Sequence, residues 1–147
     1  MTPGEVFETT FPVRYAETDQ MGIAHHASYL VWMEEGRSQY MRAKGIAYEQ
    51  IEREGRFLAV ADLNVRYIAP ARYGDAVTVR TRIDELRSRT VTFGYEVLQA
   101  TSRAVLATGQ VKLVWIDGHG RVTKMPRPSS SRRVKGRKGW PSAQRCR

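Results

Sequence analysis

Asp19 is the acid of most chemical interest in the segment RYAETDQMGIAHHASYLVWMEEGR, residues 14–37. It sits in a turn-like stretch closed by Gly22, and His25 and His26 follow directly. The clearest helical pattern in the chain begins at His26. A carboxylate can act as general base or nucleophile. Unpaired N–H groups at a helix N-terminus stabilise developing negative charge. An acid feeding a helix start therefore has the parts for an attack that builds negative charge, although aspartate also serves as a plain turn or capping residue. His26 is open to three uses: bonding a substrate carbonyl, orienting water, or capping the helix. No metal site is expected, because adjacent histidines on a helix point in different directions and only His119 is left as a third. Glu17, the neighbouring acid, reads as solvated surface. Glu34 and Arg37 stand at i and i+3 and read as an ordinary helix pair. No glycine-rich phosphate loop, Gly-x-Ser-x-Gly elbow or Cys/His nucleophile arrangement is present.

These residues need elements to hold them. Residues 6–14 (VFETTFPVR) read as a strand, and Pro12 makes it an edge strand or breaks it. From His26 to Lys44, Tyr29, Trp32, Met33, Gly36 and Tyr40 recur at helical spacing, with Gly45 as the stop. Tyr29 and Trp32 are core positions on that pattern, and Tyr29 is also a candidate wall for a substrate. Gly36 inside a helix costs roughly 1 kcal/mol against alanine, which close approach to a sheet would rationalise. A short helix follows, from about Tyr48 to Glu54.

The period then changes to two. Residues 57–69 set Ala61, Leu63, Val65 and Tyr67 against Asp62, Asn64 and Arg66. Residues 76–86, 90–100 and 104–116 alternate likewise, and PARYGD (residues 70–75) and DGHG (residues 117–120) read as turns. Short connections make the strands mostly antiparallel. The expected class is α+β, a sheet of about five antiparallel strands packed on one long helix, the layout of a hot-dog fold. One helix covers only part of such a sheet, so the remaining apolar surface favours dimerisation.

Composition narrows the setting. A length of 147 residues suits one domain with a sizeable core. No apolar run approaches the roughly 20 residues that span a bilayer, and the N-terminus lacks a signal-peptide layout. The lone cysteine, Cys146, cannot form an internal disulfide, so a cytoplasmic location is expected. The net charge of +9 is unevenly spread: residues 127–147 hold eight Lys/Arg and no acid, which leaves +1 for residues 1–126. The expected organisation is a domain over 1–126 and a basic, disordered tail over 127–147. The tail is either a solvated extension or a means of attracting nucleic acid or membrane surface.

The set Asp19, Gly22, His26, Tyr29 resembles the signature of the 4-hydroxybenzoyl-CoA thioesterase family of hot-dog proteins, above all its broad bacterial acyl-CoA thioesterase branch. The stretch YIAPARYGD (residues 67–75), the strand start at Arg89 to Phe93 and the closing DGHGR (residues 117–121) resemble family segments too. The likeness covers roughly residues 5–126 and leaves the tail outside. It implies an acyl-CoA thioesterase in which Asp19 is the catalytic carboxylate and the His26 N–H polarises the thioester carbonyl, with no metal or organic cofactor. It also implies an active site at a homodimer interface, with a homotetramer as a further assembly. Coenzyme A carries phosphates, for which Ser88 and Arg89 are the first candidates, with Arg66 and Lys112 behind them. The competing reading is a non-catalytic module that binds acyl-CoA or uses its tail on nucleic acid.

Overall fold

The computed structural model describes residues 2–126; the tail expected over 127–147 lies outside them. Seven main elements follow one another: β1 (Val6–Pro12), α1 (His26–Ala43), α2 (Tyr48–Arg53), β2 (Arg56–Tyr67), β3 (Ala76–Leu86), β4 (Thr90–Gln99) and β5 (Val105–Asp117). The strands form one sheet in the order β1-β3-β4-β5-β2, every pair antiparallel. The α+β architecture expected from the two periodicities is present. Pro12 does lie on an edge strand, where its missing N–H costs no ladder bond.

Alternation decides the faces. Val77, Val79, Thr81 and Ile83 of β3 and Val91, Phe93, Tyr95 and Val97 of β4 are all buried, as are Val111, Leu113 and Trp115 of β5. All of these but Thr81 and Trp115 join Tyr29, Trp32, Met33 and Tyr40 from α1 in one core. The helix lies over β1, β3 and β4, and α2 packs on β2. Gly36 explains how closely α1 seats: a Cβ there would stand 2.7 Å from Thr81 Oγ1 and 2.8 Å from Val79 Cγ1. The opposite face carries ion pairs, Arg80–Glu8 (3.3 Å) and Arg80–Glu96 (3.3 Å) between strands and Arg82–Asp84 (2.8 Å) within β3.

Two features differ from the sequence reading. β2 does not pair with β3, its neighbour in sequence, but with β5 on the far side. Residues 68–75 are therefore a crossover past the ends of β4 and β5, and Ala71 within it is fully buried. The second difference is a bulge between Val60 and Asp62. Ala61 is the extra residue, so Val60 and Leu63 share a face and the two-residue period breaks at Ala61.

Candidate active site

The loop between β1 and α1 begins with a single 3-10 turn at Tyr15–Glu17 and closes on itself through a bridge between Thr18 and Ala24. Within it the Asp19 N–H donates to the Ile23 carbonyl (2.8 Å) and the Gly22 N–H to the Asp19 carbonyl (3.0 Å). Gly22 has φ +73, the left-handed backbone that glycine adopts without a Cβ clash. Asp19 Oδ1 accepts from the Met21 N–H (2.8 Å) and the Ile23 N–H (3.3 Å). Oδ2 has no hydrogen-bond partner among the described residues, and the side chain is exposed. Asp19 is thus a turn residue through one oxygen, while the other is presented outward.

The loop is docked at two places. On one side it lies against the crossover: the Ala24 N–H donates to Ala71 O (2.8 Å), the Tyr73 N–H donates to Gly22 O (2.9 Å), and Ile23 bridges Arg72. On the other it is tied to the first turn of α1. The His25 N–H and the Ser28 hydroxyl both donate to the Glu17 carbonyl, at 2.8 and 2.9 Å. His25 is the N-cap, its Nδ1 accepting from the Ala27 N–H (3.2 Å), and its ring lies 4.2 Å from that of His26. An Nδ1 that accepts carries no proton, so this cap requires the neutral ring. His26 occupies the first helical position, where a backbone N–H has no intrahelical partner. The Tyr67 hydroxyl donates to the His26 carbonyl (2.8 Å).

Glu17 corrects the sequence reading. It is not solvated surface but 8 % exposed, with Oε2 accepting from Trp32 Nε1 (2.6 Å) and Oε1 from the Arg14 N–H (2.8 Å). Tyr67 and Glu17 are the site-region residues that sequence reasoning missed. The signal for Glu17 was its placement fifteen residues before a tryptophan on the helix, legible only once the helix is docked.

The remaining candidates are scattered. Tyr29 is buried, its hydroxyl accepting from the Ala71 N–H (2.9 Å), and its ring packs on Trp32 and on Tyr67 at 4.8 and 5.1 Å. It braces the crossover and Tyr67, as the core reading expects. Burial pushes its phenol up from the ordinary tyrosine value. Arg66 is exposed and, by strand alternation, points away from the face that Tyr67 shares with α1. Ser88 and Arg89 are exposed in the β3–β4 turn, where their carbonyls accept from Met125 and Trp115. β3 starts beside the Asp19 loop and ends at that turn; its 11 residues put about 33 Å between them. One protomer therefore does not bring Ser88 and Arg89 to Asp19. Lys112 lies on the sheet's outer face in an acid-rich groove of about 420 Å³ with Asp62, Asp84 and Glu85. No cluster of three metal-ligating side chains occurs among the described residues, and no helix there is long and apolar enough to cross a membrane.

Comparison with known proteins bears on this arrangement. A putative acyl-CoA thioesterase of Bacillus subtilis is 44% identical over 85 residues, 58% of this chain and 62% of that protein. The chain spans under two thirds of the length of this and the next curated relatives it matches. A crystal structure of a hypothetical protein from Thermus thermophilus superposes with a TM-score of 0.76 at 39% identity, covering 82% of this chain and 91% of that one. A DHNA-CoA thioesterase from Staphylococcus aureus gives a TM-score of 0.78 at 29% identity, covering 81% and 80%. The five-stranded antiparallel sheet with its one long helix is the hot-dog fold, shared with both of these structures. The family model described as the thioesterase-like superfamily matches residues 13–134, the Asp19 loop, α1 and all of β2 to β5 included, and the chain belongs to that superfamily.

Proposed function

We propose that this protein is an acyl-CoA thioesterase of the broad bacterial branch of the 4-hydroxybenzoyl-CoA thioesterase family, hydrolysing R–CO–S–CoA to a free acid and coenzyme A. The observation that carries the reading is Asp19 itself. Two main-chain N–H groups hold Oδ1, which turns Oδ2 outward from a loop bonded to the first turn of α1. Oδ2 supplies the electron pair, either to a proton of the attacking water or to the thioester carbon in a mixed-anhydride route. The oxygen of that carbonyl becomes negative as the carbon turns tetrahedral. The His26 N–H, at the positive end of an 18-residue helix, is the donor for it. Similarity to the Bacillus acyl-CoA thioesterase and the Staphylococcus DHNA-CoA thioesterase supports a coenzyme A thioester as the substrate class.

The working unit in this reading is a homodimer, with a homotetramer built on it. β2 is an edge strand, and its own Val60 and Leu63 are 60% and 43% exposed. Pairing of a second copy at that edge covers them. It also lets the Ser88–Arg89 turn or Arg66 of one copy serve the phosphates of a coenzyme bound near Asp19 of the other. Gly22 shapes the loop and Tyr67, backed by Tyr29, walls the acyl group.

The test is release of free coenzyme A thiol from a panel of short, long and aromatic acyl-CoAs. Asp19→Asn keeps the turn, because the amide oxygen still accepts from Met21 and Ile23. It removes the carboxylate, and the rate is expected to fall by about 100- to 10,000-fold. Wild-type turnover by Asp19→Asn, or no hydrolysis of any member of the panel by the unaltered protein, would refute the assignment.

A further inference from the structure

We infer that Glu17 is a positioning residue for the reaction, the joint that sets the Asp19 loop in register with the oxyanion donor of α1. The inference deepens the proposed function and rests on it.

Glu17 receives four hydrogen bonds from three directions. Its carboxylate takes Trp32 Nε1–H at 2.6 Å and the Arg14 N–H at 2.8 Å. Its carbonyl takes the His25 N–H at 2.8 Å and the Ser28 hydroxyl at 2.9 Å. The first bond reaches the second turn of α1, the next fixes the entry from β1, and the last two reach the N-cap and the first turn. The loop that carries Asp19 starts at the next residue, closed by the Thr18–Ala24 bridge. Asp19 and the His26 N–H are thus referenced to a single residue two positions before the one and nine before the other.

A carboxylate 8 % exposed is costly to bury and is retained only where its oxygens are well partnered. A turn that needed only closure would not require it. Thr18, Asp19, Gly22 and Ile23 already close the loop through their own bonds. What Glu17 adds is the angle and distance between loop and helix. Reaction rates are steep in that quantity: a misplacement near 1 Å can cost about 100-fold.

Glu17→Gln is the direct variant. Its amide offers one acceptor oxygen to two donors, so either Trp32 or the Arg14 N–H faces an NH₂ group. The readouts are kcat and KM for the acyl-CoA that the panel shows to be turned over best, the melting temperature, and the Trp32 indole N–H resonance. The expected result is a kcat lowered roughly 100-fold, KM within about twofold, and an upfield move of the indole proton as its short charge-assisted bond is lost. The same resonance stays in place in Asp19→Asn. A moved resonance and a lower melting temperature with wild-type kcat per folded molecule would make Glu17 structural only and overturn the inference. Should Glu17→Gln not fold, Ser28→Ala removes one of the two bonds to the Glu17 carbonyl at a half-buried site. It is expected to lower kcat about tenfold, and an unchanged kcat overturns the inference. An inactive Asp19→Asn beside a fully active Glu17→Gln removes this proposal alone, whereas an active Asp19→Asn removes the parent reading with it.

Discussion

At the scale of single residues, Asp19 combines two duties on separate oxygens, and substitutions separate them. Asp19→Asn retains the acceptor for Met21 and Ile23 and changes the chemistry alone. Asp19→Ala deletes both bonds as well. It should lose the activity and about 1 kcal/mol of stability, the size of a missing capping bond. Urea titration of the two variants beside their kinetics checks this: equal activity loss, unequal midpoints. Glu17 shows the opposite allocation, with both carboxylate oxygens engaged inside the protein. Two acids two residues apart therefore differ in role because one faces outward and the other faces an indole.

Among the elements, α1 owes its position to the absence of a side chain at Gly36. The backbone approaches β3 so closely that an alanine Cβ would press on Val79 and Thr81, both β-branched and both in a strand with neighbours on either side. Alanine gains roughly 1 kcal/mol of helix propensity at an interior position. Overpacking a rigid site costs about 1–3 kcal/mol, and here the second effect wins. Gly36→Ala is expected to lower the urea midpoint, and Gly36→Val to lower it further. A higher midpoint for Gly36→Ala would mean that the helix can lift off β3 without loss. The crossover at residues 68–75 is the other element that matters to the site, since it is hydrogen-bonded both to the Asp19 loop and, by donation from the Ala71 N–H, to the Tyr29 hydroxyl.

For the whole molecule, the uncovered side of the sheet argues for a second copy. Leu63→Glu places a charge beside Val60 on the edge strand, and light scattering at micromolar concentration is expected to show a monomer with little thioesterase activity. An unaltered protein that scatters as a monomer would remove the dimer from the model of function. The core also sets the response to alkali. Burial raises the phenols of Tyr29, Tyr40, Tyr48 and Tyr95, the last most strongly, above the ordinary value near 10. A raised folded-state value means that the unfolded chain loses these protons first. The stability they contribute is whole below pH ~10 and is lost as the pH climbs through the folded-state values. Thermal melts from pH 8 to 11 should show a falling midpoint, and the fall should be shallower in Tyr95→Phe.

Much of this protein is written in local pattern. The two-residue alternation of β3, β4 and β5, the spacing of Tyr29, Trp32, Met33, Gly36 and Tyr40 and the Asp19–Gly22 turn depend on neighbours within one helical turn or one strand. They were legible for that reason. Which strand lies beside which is a different kind of information: β2 alternates the same way whether its partner is β3 or β5, and Ala61 bulges only against a particular partner. The burial of Glu17 likewise waits on Trp32, brought over it by a helix docked on the sheet. The separation of Arg89 from Asp19 is the length of a strand, which sequence alone supplies, read in a direction that only the assembled sheet decides.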